Sequence, residues 1–364
     1  MLKTLVATSL LQIAVYNFIE VPWAPHISSA YTDYTSFLEA KTYGVQESYF
    51  KGSLVHTPPL VVEAMAWLPD LGVFSVLLGV RLITAFYLFR ITQSRLAVAL
   101  YMLDPSLSRL NLSTFTQFAV LLFSYYSLVR RRTRAALCLS LLCYLDPSYL
   151  PLATLYYFKN FTKTVYLTGS LLSLALYGAS YYLTGSWEFL HSCQLSVLFS
   201  QDLRPNLGLS WYLLLEMFQK YQSFYRAVLV VHPWLYIYTI RYLLLKYQRT
   251  CNYSQAGKLY LAVMYCVCVV CHPSPMLGDY ILGAVLMFPH AEIILRVPSA
   301  FLTVTGFLVG QVLSLVMWGM WGTRIGGNAN FLFFQLILVN TMCFGFLFGL
   351  LQQVKQDIEE VSVT

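Results

Sequence analysis

A succession of helix-length apolar runs, each ended by basic residues, constrains the fold of this chain most. Residues 71–91, for example, are mostly apolar and are followed by Arg95. Charged residues make up 11% of the sequence, whereas a soluble domain carries about a quarter, so water cannot be the solvent for most of the surface. Helices satisfy their own backbone amides, whereas a membrane β-barrel would show alternating segments of about ten residues. The sequence therefore predicts an all-α, polytopic membrane helical bundle.

The basic residues also predict how these runs cross the membrane, because cytosolic loops carry an excess of lysine and arginine. Their position at the ends of the runs accounts for the net charge of +7 without a nucleic-acid partner. With both termini in the cytosol, the chain threads into about twelve transmembrane helices, the first at residues 3–19. Two apolar segments, 58–69 and 207–218, are too short to cross and are predicted to be re-entrant luminal half-helices.

We expect one integral membrane domain over residues 1–364, because no change of composition marks a separate soluble domain. The predicted parts outside the membrane are a luminal loop at residues 20–57, a luminal segment at residues 185–221 and a cytosolic carboxyl-terminal tail at residues 352–364. The luminal parts therefore hold most of the polar side chains that could meet a ligand.

The most polar interruption of the chain runs from residue 186 to residue 218. Asp202 and Asn206 can each hydrogen-bond a polar ligand or one another, and a proline and a glycine then break the backbone before an aromatic helix that Asn206 can cap. Trp211 belongs to an apolar row of this short helix, beside a polar row. Such a segment suits a ligand with a polar head and an apolar tail. The alternative is a loop that re-enters the membrane and only packs on its neighbours.

Four motifs, in the same order, closely resemble the PIG-U family. They are HTPPL at residues 56–60, the segment 186–218 with its SWEF, DLRPNLGLSWY and EMF sequences, SPMLGDY at residues 274–280, and NANF at residues 328–331. The resemblance covers the chain from about residue 35 to its end. That family is a multi-spanning subunit of the GPI transamidase, the endoplasmic-reticulum complex that attaches GPI anchors to proteins.

The resemblance implies a non-catalytic subunit that binds the GPI glycolipid and presents it for attachment to proprotein carboxyl termini. It implies an endoplasmic-reticulum membrane location and partner subunits, one of which is cysteine-protease-like and carries the catalytic thiol. Further membrane subunits would complete the complex. No cofactor is expected.

Two asparagines, Asn328 and Asn330, stand in a turn at the start of the last apolar run. Their amides and the unpaired backbone N–H groups of a helix start can donate to phosphate and hydroxyl oxygens. In the alternative, one asparagine caps the helix and the other faces water. The resemblance implies that these asparagines hold the GPI headgroup.

Asp279 and His56 belong to two other motifs. Asp279 lies close to the end of a predicted span, where an unpaired carboxylate is costly, so we expect a partner in the bundle or on a ligand amine. His56 precedes two prolines, which is more typical of a helix start than of a ligand site. The predicted lipid-binding residues are Asn328, Asn330, Asp202, Asn206, Trp211, Asp279 and His56.

Two other functions stay open. Asp33 lies in a loop that resembles the first luminal loop of the GPI mannosyltransferases, but Thr35 replaces the second carboxylate of their Asp-x-Asp pair, and a lone carboxylate binds a divalent ion poorly. The repeated Leu-Asp-Pro at residues 103–105 and 145–147 and the broken helices are features of lipid transporters or scramblases.

Two further groups of residues carry expectations about bonding. Cys266, Cys268, Cys271 and His272 lack the second ligand pair of a structural zinc site, so we expect the thiols to fill space between helices and predict no metal. Arg81 lies in the middle of a predicted span, where the resemblance leads us to expect an aspartate. Its candidate partners in the sequence are Glu63 and Asp70.

Overall fold

Helices are the only regular secondary structure in the described part of the chain. The computed structural model describes residues 7–8, 30–50, 53, 55–104, 112–158, 163–199, 203, 205–251, 253–323, 326 and 328–363. These residues form helices and contain no strand, which confirms the all-α class.

The first half holds α1 (Ala30–Tyr43), α2 (Val45–Ser48), α3 (Pro59–Ala66), α4 (Asp70–Thr92), α5 (Arg95–Met102), α6 (Ser113–Leu128), α7 (Arg132–Leu145), a 3-10 helix (Pro147–Phe158) and α8 (Lys163–Thr184). The second half holds a π-helix (Leu190–Leu195), α9 (Ser196–Leu198), α10 (Ser210–Glu216), α11 (Gln219–Tyr247), α12 (Tyr253–Cys271), α13 (Leu277–Leu286), α14 (Ala291–Ile294), α15 (Ala300–Trp318) and α16 (Ala329–Val363). The short α3 and α10 lie where the two half-helices were predicted, and their re-entry into the membrane stays a prediction.

Six helices in the described part are long and apolar enough to cross a membrane. They are Asp70–Thr92, Gln219–Tyr247, Ser254–Cys271, Leu277–Ile294, Ala300–Trp321 and Ala329–Val361. The membrane class is therefore supported, whereas the count of about twelve crossings stays a prediction. The predicted first span at residues 3–19 lies outside the described residues, apart from the helical residues 7–8.

Local chemistry explains where several helices begin. α3 begins at Pro59, whose fixed backbone and missing N–H suit a first helical position. Asp70 opens α4, where a carboxylate interacts favourably with the helix dipole. Ser94 precedes α5, and its hydroxyl accepts the Ala97 N–H at 3.2 Å. Proline and capping signals therefore divide the apolar sequence into separate helices.

Helices α12 and α15 show the two environments of the bundle. In α12, 72% of the most apolar window is buried, because the helix is surrounded by α11, α13, α16 and the 3-10 helix. In α15 only 17% of the window is buried, and the helix contacts the bundle mainly through α16. Small residues bring α15 and α16 together: a Cβ at Gly310 would lie 2.7 Å from Cγ2 of Val339. α12 is thus a core helix, and α15 forms the outside of a hairpin.

Arg81 has other partners than those expected. Its Nη2 donates to the carbonyl of Tyr101 at 2.6 Å, the guanidinium lies 5.2 Å from the centre of the Tyr101 ring, and Asp104 attracts it electrostatically. The expected partner Asp70 lies eleven residues earlier on α4, about 16 Å along the helix, and its carboxylate is 3.7 Å from Lys41 Nζ. Arg81 therefore stabilises the contact of α4 with α5, and the pairing with Glu63 or Asp70 was wrong.

Candidate functional site

Three of the four sequence motifs meet in the structure. The Ser210 hydroxyl donates to the Pro273 carbonyl at 2.9 Å, which joins α10 to the proline corner formed by residues 273–276. Gly208 packs so closely on this corner that a Cβ there would lie 2.6 Å from the Pro273 carbonyl oxygen. The Tyr212 hydroxyl donates to Oδ1 of Asn330 at the start of α16. The 186–218 segment, the proline corner and the start of α16 therefore form one continuous site.

Asn206 shapes the loop before α10. It is buried; its side-chain Oδ1 accepts the Gly208 N–H at 2.7 Å, and its carbonyl accepts the Trp211 indole N–H at 3.0 Å. The expectation that Asn206 caps the helix was wrong, because α10 begins four residues later at Ser210 and has no side-chain cap. The asparagine instead closes a local turn, as this residue type often does.

Aromatic rings fill the space beneath this turn. Trp211 is 1% exposed, and its ring lies 6.3 Å from the Trp321 ring at an angle of 18°. Tyr212 stacks on Phe333 with ring centres 4.3 Å apart. Trp211 is enclosed by protein and holds α10 against the α15–α16 hairpin. Asn328 and Asn330 form the exposed, more polar edge of the site, which we call the rim.

Asn328 and Asn330 are both exposed at the start of α16. Asn328 Oδ1 accepts the Asn330 N–H at 3.1 Å, which makes Asn328 the cap of the helix. Asn330 Oδ1 accepts the Tyr212 hydroxyl. Both side-chain carbonyls therefore accept a hydrogen bond within the described residues, and the NH2 group of each amide is the donor part of its side chain. The cap and a role as ligand donors are thus compatible.

Asp279 is buried and bonded inside the bundle. Its carboxylate accepts the Gln117 side-chain N–H at 3.0 Å, the Met276 backbone N–H at 3.1 Å and the Tyr265 hydroxyl at 3.4 Å. Of the two partners expected for it, the structure provides the one in the bundle. Because Met276 ends the proline corner, Asp279 fixes the surface on which Gly208 packs.

A histidine–aspartate contact at the other end of the proline corner was not expected. His272 Nε2 lies 2.9 Å from Asp146 Oδ2, and the Ser274 N–H donates to His272 Nδ1 at 3.0 Å. Burial alone would raise the pKa of Asp146, but bonds from His272 and Ser148 outweigh it and hold that pKa below its ordinary value. The Leu-Asp-Pro repeat contained a signal for Asp146, whereas nothing in the sequence connects it to a residue 126 positions away.

The other predicted site residues are placed as follows. His56 Nδ1 lies 2.8 Å from the Ser192 carbonyl and 3.1 Å from the Ser196 hydroxyl, so it contacts the first part of the 186–218 segment. Asp202 lies outside the described residues, as does the side chain of Asp33. His272 is paired with Asp146, and Cys271 Sγ lies 3.2 Å from Nε2 of His232. Among the described side chains, no group of three or more His, Cys, Asp or Glu residues could hold a metal ion.

Comparison with known sequences identifies the family. A family model described as GPI transamidase subunit PIG-U matches residues 2–340. The chain belongs to the PIG-U family. The assignment made from the four motifs is thereby confirmed.

Curated relatives agree with this assignment. The chain is 32% identical over 178 residues to GPI transamidase component GAB1 of Saccharomyces cerevisiae, covering 47% of this chain and 41% of the relative. It is 26% identical over 191 residues to GPI-anchor transamidase component PIGU of Mus musculus, covering 50% and 41%. The human PIGU component is 25% identical over 179 residues, covering 46% and 38%. The aligned part spans about two fifths of the length of these relatives.

Proposed function

We propose that this PIG-U family member is a non-catalytic membrane subunit of a GPI transamidase in the endoplasmic reticulum. It binds the GPI lipid on its luminal side and presents the ethanolamine amine to a catalytic cysteine on a partner subunit. The single observation that carries the proposal is the contact of three family motifs in one site whose rim consists of Asn328 and Asn330. Family membership supplies the class of ligand.

The chemistry of the rim suits an anionic headgroup. GPI carries a phosphoinositol-glycan head, and the Asn328 and Asn330 amides are neutral donors that place no carboxylate beside the phosphate. The start of α16 adds backbone N–H groups and the positive end of a helix dipole. Tyr212 occupies the carbonyl of Asn330, so the NH2 group is the part of that side chain left for a ligand. The rim is therefore an arrangement of donors.

The remaining predicted residues have two different roles in this proposal. Asn206, Trp211 and Asp279 are enclosed by protein and position the rim. Asp202, in the 186–218 segment, and His56, in the HTPPL motif, stay predicted ligand contacts. The termini lie in the cytosol in this arrangement, and further membrane subunits surround the bundle.

The reaction served by the complex needs a nucleophile elsewhere. In the aminolysis, the GPI amine attacks a thioester carbonyl carbon, the carbon–sulfur bond breaks and a thiolate leaves. Cys193, in the π-helix of the 186–218 segment, is a poor candidate for that thiol, because burial raises its pKa and its Sγ donates to the Thr57 carbonyl. A cysteine-protease-like partner supplying the thiolate agrees with this.

The experiment is the double substitution Asn328→Ala with Asn330→Ala, expressed in cells that depend on this chain. We expect surface display of GPI-anchored reporters to fall several-fold while complete GPI accumulates, because the headgroup loses its donors. Co-purification of the partner subunits should stay normal. Gln352→Ala is the matched control, since it removes an exposed amide from the other end of the same helix. Unchanged reporter display with normal expression of the double variant would contradict the proposal.

The accumulated lipid separates this function from a mannosyltransferase. If this chain were a mannosyltransferase that uses Asp33, cells with the Asp33→Asn variant would accumulate unmannosylated GPI precursors. A subunit that presents finished GPI should show no such precursors, because mannose addition does not depend on it. Lipid extraction and chromatography of the glycolipids measures the difference.

A further inference from the structure

A cleft between α13 and the α15–α16 hairpin is left unused by the proposed function. Its volume is about 450 Å³, and its walls come from α12, α13 and α14 on one side and from α15 and α16 on the other. Ala284, Val304 and Leu308 line it and are exposed, so the cleft opens sideways on the surface of the bundle. In this chain taken alone, the opening lies on an apolar outer surface of the bundle.

The walls of the cleft offer a ligand nothing polar. Apart from Asp279, whose carboxylate is bonded in the bundle, the hydroxyl groups are also engaged: Tyr280 donates to Asn340 at 3.4 Å and Thr303 donates to the Ser299 carbonyl at 2.9 Å. The thiols of Cys266 and Cys343 pack as small apolar groups. An occupant must therefore be pure hydrocarbon where it enters.

The cleft shares Asp279 with the proline corner, and the rest of it lies away from the Asn328 rim. Its α15 wall consists of residues 303–308, in the first half of a helix whose other end leads to Asn328. Its α16 wall begins at Met342, thirteen residues after Ala329 and so about 20 Å further along the helix. The hydrocarbon core of a bilayer is about 30 Å thick. The wall from α16 thus belongs to the leaflet opposite to Asn328.

The size of the cleft selects among apolar occupants. Its volume of about 450 Å³ is roughly three times that of a cavity of about 150 Å³ that holds one benzene ring. By the same packing it takes about 18 carbon atoms, the size of one acyl chain. A helix about 10 Å across would fill this volume within about one turn, so a partner helix could enter the cleft only with individual side chains.

We propose that this cleft binds one acyl chain of a bulk membrane phospholipid from the leaflet opposite to Asn328. The acyl chain supplies dispersion contacts that the walls of the cleft otherwise lack. It also fills the gap between α13 and α15, a helix that contacts the bundle mainly through α16. The site is separate from the rim that holds GPI in the proposed function, and either can exist without the other.

The test is to fill the cleft and count retained lipids. The complex is reconstituted in nanodiscs of dioleoyl phosphatidylcholine and released into mild detergent. Native mass spectrometry then gives the number of phospholipids that it retains. We expect Ala284→Trp, and Val304→Trp from the opposite wall, to lose one phospholipid that the unaltered complex retains. Ala179→Trp is the matched control, because Ala179 is exposed on α8 and does not line the cleft.

Three results would overturn the proposal. Equal lipid counts in the unaltered complex and both filled variants would show that the cleft holds no acyl chain. Loss of a partner subunit from both variants with an unchanged lipid count would show that a partner occupies it. Complex purified from cells that make no GPI should still retain the lipid. If the lipid were lost from that complex, the acyl chain in the cleft would belong to GPI itself.

Discussion

Asp279, which is buried, and Asp146, which is partly buried, flank the same proline corner and are stabilised in different ways. Asp279 stands in the first turn of α13, where the helix dipole and the Met276 N–H favour a carboxylate, and its other partners are neutral. Asp146 follows the last residue of α7, where the dipole disfavours a negative charge, and it is paired with His272. Asp279 is therefore stabilised by its place at a helix start, whereas Asp146 depends on a histidine partner.

This comparison also explains why the corner is well fixed. His272 precedes residues 273–276 and is bonded to Asp146, whereas Met276 ends them and is bonded to Asp279. Gly208 and Ser210 then pack on the corner between these two anchors. The candidate lipid site therefore depends on the contact of Asp146 with His272 at one end and on the contact of Asp279 with Met276 at the other.

The largest effect is expected from breaking the contact between His272 and Asp146. His272→Ala leaves the Asp146 carboxylate, whose side chain is 15% exposed, without its main partner, which should lower the free energy of unfolding by about 3–5 kcal/mol. Thermal unfolding of the purified complex in detergent measures the change. His191→Ala is the control, because His191 is exposed. An equal and small effect of both substitutions would show that the pair contributes little.

A smaller effect is expected from removing the Asp279 carboxylate. Asp279→Ala removes a cap and leaves the Gln117 amide unpaired in the bundle, which should cost about 2–3 kcal/mol. The same unfolding assay applies. Asp357→Ala is a suitable comparison, since its bonds to the half-exposed Arg296 should contribute only about 0.2–1 kcal/mol. If Asp279→Ala cost more than His272→Ala, the argument from helix ends would be wrong.

The smallest effect concerns pH. The pKa of Asp146 is lowered in the folded state, so its contribution to stability is complete above the unfolded aspartate value, about pH 4, and decreases as the pH falls below it. Asp146→Asn has no such carboxylate, so the difference in melting temperature between the original chain and this variant should narrow below about pH 4. A difference that stays constant down to pH 2 would contradict the assigned direction.

Sequence reasoning predicted the features that depend on neighbouring residues. Apolar length and prolines predicted the short α3 and α10, and the positions of basic residues placed the 186–218, 274–280 and 328–331 motifs on one side of the membrane. The structure brings these three motifs into contact. Their order along the chain alone does not require that contact.

The missed features depend on distant contacts or on details of backbone geometry. The Asp146–His272 pair joins residues far apart in sequence, and no periodicity records it. Arg81 bonds to the backbone carbonyl of Tyr101. Every residue has such a carbonyl, so the sequence does not mark this one as a partner. Asn206 has the residue type of a helix cap, but the helix begins too late for it to act as one. In each case the side chain was noticed and its partner was not.

Photocrosslinking from the rim tests the central claim most directly. A benzophenone amino acid replaces Asn328 in one variant and Gln352, at the other end of α16, in a second. The account predicts that the first variant captures radiolabelled GPI in intact microsomes and that the second does not. Assembled complex that captures GPI from neither position, or equally from both, would contradict a lipid site at the start of α16.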